Sequence, residues 1–230
     1  MSTGLRERIE RRRFTILLVA ILAMSVVPLV RGETGGWGSG LLVGFVLLAA
    51  VHANSRKPRT TLIFTVLAVI VFGGRLGTLF GPRFRYQEQW DAGSYVVAAA
   101  FLGITVVMVF AAIIRAPRIS GDAVMGAVCV YMLIGYTWAY FYALVEIVEP
   151  GSFNFPAYAL SEQGTPPEFT FGYYSFVTLT TLGYGDITPI SNRARTLSWL
   201  EAVAGVSYMA TVIAFLVSQI TIDRGRGHRL

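Results

Sequence analysis

The sequence predicts an all-α membrane protein: six transmembrane helices, with a shorter helix re-entering the bilayer between the fifth and the sixth. Three observations predict it. Apolar types make up 54% of the 230 residues and charged types 14%, where roughly a quarter is charged in a soluble chain. Residues 14–30, 61–72 and 95–114 hold no charge at all, and a spanning helix needs about 20 mostly apolar residues. Finally, the longest connector carries an aromatic-rich apolar segment at 169–181, too short to cross, followed at once by alternating glycines. A soluble domain of this size needs a far more polar surface. Little of the chain is therefore expected outside the bilayer, and no separate cytosolic catalytic or regulatory domain is expected.

The first span, 14–30, follows Arg11, Arg12 and Arg13, which also fits a cleaved signal sequence. Leu29-Val30-Arg31 offers no small-residue cleavage site, which favours a retained helix. In the basic segment 1–13, Leu5 and Ile9 stand four apart among arginines. That suits a short amphipathic helix on anionic lipid headgroups; a solvated basic tail fits equally well. The second span, 37–53, opens on Gly36, Gly40 and Gly44, a spacing that lets two helices approach closely. The third and fourth, 61–80 and 94–114, complete a four-helix region over 14–122. The fifth, 123–148, carries Cys129, the single cysteine, so no intrachain disulfide or cysteine metal cluster forms. Glu149-Pro150-Gly151-Ser152 ends it, because Pro and Gly stop helices. The sixth runs over 196–222, followed by a short tail at 223–230.

Connector charges set the topology. With both termini cytoplasmic, the inner segments hold thirteen of the nineteen basic residues and the outer side holds Arg31, Arg75, Arg83, Arg85, Arg193 and Arg195. This is the direction of the positive-inside rule, so a multi-pass protein of the cell membrane is expected. The net charge of +6 sits between apolar runs and gives no reason to expect a nucleic-acid partner.

Segment 169–181 runs into Thr181-Leu182-Gly183-Tyr184-Gly185-Asp186, and Pro189 stops any further helix. Irregular backbone at membrane depth is tolerated only where protein buries it or it lines a water-filled path. Gly183 and Gly185 can adopt left-handed conformations closed to most residues, and alternating right- and left-handed residues turn successive carbonyls to one side. Four copies of such an oxygen ladder about one axis replace the hydration shell of a potassium ion. A dinucleotide loop is excluded, since Thr188 stands where its third glycine is needed.

Residues 178–189 resemble the potassium-channel signature, in the form found in bacterial six-span potassium channels. The resemblance is strong over 123–222 and weak over the first four spans. It implies a two-helix pore domain at 123–222, assembled as a homotetramer, with potassium as the permeant ion and no cofactor. It implies an ion-binding filter of Thr181, Leu182, Gly183, Tyr184 and Gly185, the carbonyls of the first four and the Thr181 hydroxyl forming the sites. Tyr184 is expected to point away from the pore against Tyr173 and Tyr174, and Asp186 to form a negative ring at the outer mouth and hydrogen-bond behind the filter. Two tyrosines stand where many relatives carry a tryptophan pair, and Val177 where some place a carboxylate. Leu182 replaces the commoner valine at a site that contributes only its carbonyl.

Gly205, twenty residues after Gly185, matches the gating hinge of related inner helices; packing against the pore helix is an equal alternative. Met209, Ile213, Phe215, Val217 and Ile220 are candidates for an apolar inner constriction. Glu146 and Glu201 are functional candidates as intramembrane carboxylates, or solvated groups at the interface.

A voltage sensor needs roughly 3–4 transferable charges per subunit. The fourth span has none, and Arg75, Arg83 and Arg85 lack regular spacing and fit snorkelling to the outer interface. Strong voltage dependence is therefore not expected. His52 and His228 are candidate proton sensors or plain interfacial groups, and no ligand-gating domain fits the tail. The expected function is passive potassium-selective conduction, not enzymatic chemistry, since no nucleophile or metal-ligand constellation appears. A single-chain potassium transporter would resemble four pore repeats, and only one occurs. A non-selective cation channel typically departs from Gly-Tyr-Gly, which this chain keeps. A silent, pore-like subunit is the third rival.

Overall fold

The computed structural model describes residues 12–31, 46, 49–50, 58–80, 87–116, 120–156 and 167–227. Most of the second predicted span lies outside these residues, as do Leu5, Ile9, Gly36, Gly40, Gly44, His52, Arg83, Arg85 and His228. The helices are α1 (Arg13–Arg31), α2 (Pro58–Phe80), α3 (Gln87–Ile114), α4 (Gly121–Val148), α5 (Pro167–Leu179) and α6 (Asn192–Gly227). Two short strands, β1 (Phe153–Asn154) and β2 (Thr188–Pro189), pair antiparallel, Phe153 opposite Pro189 and Asn154 opposite Thr188.

Among the described residues, three helices are long and apolar enough to cross a membrane: Gln89–Ile114, Gly121–Val148 and Asn192–Phe215. Arg13–Val26 and Thr61–Gly73 are shorter apolar helices. Helix α3 begins at Gln87, ahead of its uncharged run, because a helix start tolerates polar and acidic residues such as Glu88 and Asp91 beside its positive dipole end. Helix α5 begins on a proline, suited to the first helical position because its missing N–H has no partner to lose there.

Helix α4 is the centre of the molecule: α1, α3, α5 and α6 all pack on it, and α2 lies outside on α3. Gly126 lets α1 come close, since a Cβ there would sit 3.0 Å from the Phe14 ring. Gly135 does the same for α5, where a Cβ would lie 2.7 Å from the Phe176 ring. The N-terminal ends of α1 and α4 are joined by Asp122. Its carboxylate accepts from the amides of Phe14 and Thr15 at 3.3 and 2.9 Å and from the Thr15 hydroxyl at 2.8 Å. Asp122 thereby caps the amide end of one helix from the first turn of another, where negative charge suits both dipoles. Helix α4 has its own cap in Ser120, whose hydroxyl accepts from the Ala123 amide at 3.2 Å.

Candidate functional site

The candidate site starts where α5 ends. The amides of Thr180 and Thr181 bond back to the Phe176 and Thr178 carbonyls at 3.1 and 2.9 Å. Both the Leu182 and Gly183 amides then converge on the Val177 carbonyl, at 2.9 and 3.2 Å. The chain leaves the helix by a left-handed step at Thr181, with φ 58°, so α5 stops two residues before the expected boundary. Gly183 at φ 58° and Gly185 at φ 78° repeat that step, while Leu182 and Tyr184 keep negative φ. Left-handed residues thus fall at every second position. The glycines were legible as left-handed; Thr181 was not. A β-branched residue there is an outlier that costs on the order of 1–3 kcal/mol. Counting back two from Gly183 is the signal that would have found it.

The flanks of this strand are tied down on both sides. Tyr173 donates to Asp186 Oδ2 at 2.7 Å. Tyr174 turns the other way: its hydroxyl shares a 2.7 Å bond with Ser198 of α6, and its ring packs edge-on against Tyr142 at 5.0 Å. The two adjacent tyrosines therefore serve different faces of α5. Tyr184, expected against both, is 67% exposed in the single chain. Phe153 and Phe171 join Tyr142 and Tyr174 in one aromatic cluster, with Phe153 5.0 Å from Phe171 and 5.4 Å from Tyr174. The return from the alternating strand is held by the β1–β2 pair and by the Ile190 amide on the Ser152 carbonyl at 2.7 Å.

Two carboxylates singled out in the sequence have distinct places. Glu146 pins the turn after α4, accepting from the amides of Gly151 and Phe153 at 2.8 and 3.2 Å. Glu201 is wholly buried, between Tyr142 of α4 and Ser175 of α5. An interfacial, solvated position is thereby ruled out for Glu201. Gly205 is packed against the C-terminal end of α5: a Cβ there would fall 2.2 Å from the Leu179 carbonyl oxygen. Helix α6 runs unbroken through it. Met209 and Ile213 of α6 are exposed in the single chain, and Phe215 is half-buried.

Residues 152–221 match the family model described as an ion channel. One stretch is 37% identical over 59 residues to the calcium-gated potassium channel TvoK of Thermoplasma volcanium, covering 24% of this chain and 17% of that one. The matched stretch thus spans about a sixth of the relative's length. No solved structure matches the chain significantly. Both matches fall on part of the chain, one to an ion channel model and one to a protein named as a potassium channel. The family match takes in α5, the alternating strand and most of α6.

Proposed function

We propose that four copies of this chain form a potassium-selective channel, with Thr181, Leu182, Gly183, Tyr184 and Gly185 of each copy lining one filter. The observation that carries this reading is the alternation at Thr181, Gly183 and Gly185, left-handed at every second residue. That backbone turns successive carbonyl oxygens the same way, which is what coordination of a dehydrated potassium ion requires. The dipole of half-length α5 aims its negative end at the same place. Asp186 supplies negative charge at the outer mouth, and the Tyr173 bond holds it there.

Further support comes from exposure. In the single chain, Trp199, Val203, Val206, Met209 and Ile213 of α6 are exposed apolar residues. Neighbouring copies and the pore axis are the natural covers for such a face in a tetramer. Helices α1 and α3 rest on α4 of the same chain, so the peripheral region is proposed to ride with its own pore helices. Both termini are proposed to be cytoplasmic, the basic N-terminal segment to meet anionic lipid, and gating to be largely voltage-independent. Gly205 is proposed to act in gating through its contact with Leu179, so that bending α6 there means losing that contact.

The test is ion flux from liposomes holding the purified full chain. Potassium release blocked by barium, with sodium release far slower, is expected. Equal release of both ions discards the filter, and no release of either favours a silent subunit.

A further inference from the structure

Among the described residues, Glu201 is the one carboxyl group with no exposure at all. Its Oε2 accepts from the Tyr142 hydroxyl at 2.5 Å, and its Oε1 lies 2.5 Å from the Ser175 Oγ. The same Oγ lies 2.7 Å from the Gly135 carbonyl oxygen. Counting hydrogens decides the protonation state. A serine hydroxyl carries one hydrogen, a carbonyl none, and an ionised carboxylate only accepts. With Glu201 ionised, one hydrogen has to serve both contacts of Ser175, and one close oxygen pair is left with no proton between its members. With Glu201 protonated on Oε1, its O–H donates to Ser175, Ser175 donates to Gly135, and Tyr142 donates to Oε2. Every hydrogen then has one acceptor.

The surroundings agree. No ion pair reaches Glu201 among the described residues. The titratable groups that face it are the phenols of Tyr131 and Tyr142 on α4 and of Tyr174 on α5. A buried carboxylate without a cation is expensive.

We propose that Glu201 is a neutral acid whose own proton completes a hydrogen-bond chain from α6 through α5 to α4, and that this chain positions the filter. Ser175 stands two residues before Val177 on the same helix, and the Val177 carbonyl holds the Leu182 and Gly183 amides. A displaced Ser175 therefore displaces the first turn of the filter. Glu201 is a positioning residue and touches no ion. Losing the proton breaks the chain, so its support is present while Glu201 is neutral and lost when the carboxyl ionises.

The experiment uses the full chain in liposomes, with infrared difference spectra and potassium flux followed from neutral to alkaline pH. The wild type is expected to show the carbonyl stretch of a protonated carboxylic acid, absent from Glu201→Gln and fading at alkaline pH. Wild-type flux should fall severalfold and reversibly as that band fades, while Glu201→Gln, which can still donate to Ser175 and accept from Tyr142, holds its flux. No protonated band in the wild type, or the same alkaline loss in Glu201→Gln, overturns the proposal. Where Glu201→Gln does not assemble, Tyr142→Phe and Ser175→Ala decide: each removes one link, so each must shift the band, and an unshifted band overturns it. The effect on flux rests on the filter reading, but the band does not. A band without potassium selectivity discards the filter alone, and selective flux without a band discards the neutral acid alone.

Discussion

The Tyr173 hydroxyl bonds the Asp186 carboxylate at 2.7 Å, joining the helix before the alternating strand to the residue just after it. The strand between them is therefore fixed at both ends by one side-chain contact. Replacing Tyr173 with Phe removes the donor and keeps the ring, at a cost of about 0.5–1.5 kcal/mol. Sustained potassium currents from Tyr173→Phe should decline faster than those of the wild type. An unchanged time course would mean that the tie does not stabilise the conducting filter.

Gly205→Ala tests the approach of α6 to α5. The added methyl would meet a backbone carbonyl, not a movable side chain, at 2.2 Å. Forced repacking of this kind costs about 1–3 kcal/mol. The variant should melt at a lower temperature in detergent and show altered opening. A melting temperature equal to that of the wild type would show that α6 does not pack this closely.

Gly183→Ala tests the alternation. An L-residue in the left-handed region costs roughly 1–2 kcal/mol, and the Gly183 φ of 58° lies within that region. Loss of potassium selectivity or of conduction is expected in flux assays, with the tetramer still assembled by cross-linking. Selective conduction at wild-type levels would remove Gly183 from the filter.

Asp122 predicts a difference between two substitutions. Asp122→Ala strips three hydrogen bonds from the start of α1, and losing a helix cap typically costs about 0.5–2 kcal/mol. Asp122→Asn keeps an accepting oxygen and should lie much nearer the wild type in thermal stability. Wild-type stability in both variants would show that the cap contributes nothing.

What the sequence revealed divides along physical lines. Long apolar runs report burial in lipid through their length alone, so α3, α4 and α6 were located within a few residues. Glycine reports backbone freedom, so Gly183 and Gly185 were legible as left-handed and Thr181, whose strain is imposed by its neighbours, was not. The β1–β2 pair of two-residue strands has too little pattern to read, and it depends on contacts far apart in the chain, such as that of Asn154 with Thr188, 34 positions on. Glu201 was visible as a carboxyl in an apolar run, but its partners Tyr142 and Ser175 come from two other helices, and only packing brings them together. Tyr173 and Tyr174 looked like an equivalent pair because they are adjacent. Neighbours on a helix face different directions, and here one reaches Asp186 while the other reaches Ser198.

The measurement closest to the central claim is the reversal potential of the purified full chain in a planar bilayer, with potassium on one side and sodium on the other. A four-copy filter of carbonyls from Thr181 to Tyr184 predicts a reversal potential close to that of a membrane permeable to potassium alone, abolished together with the current by barium. A reversal potential near zero, with current carried equally by both ions, would contradict it.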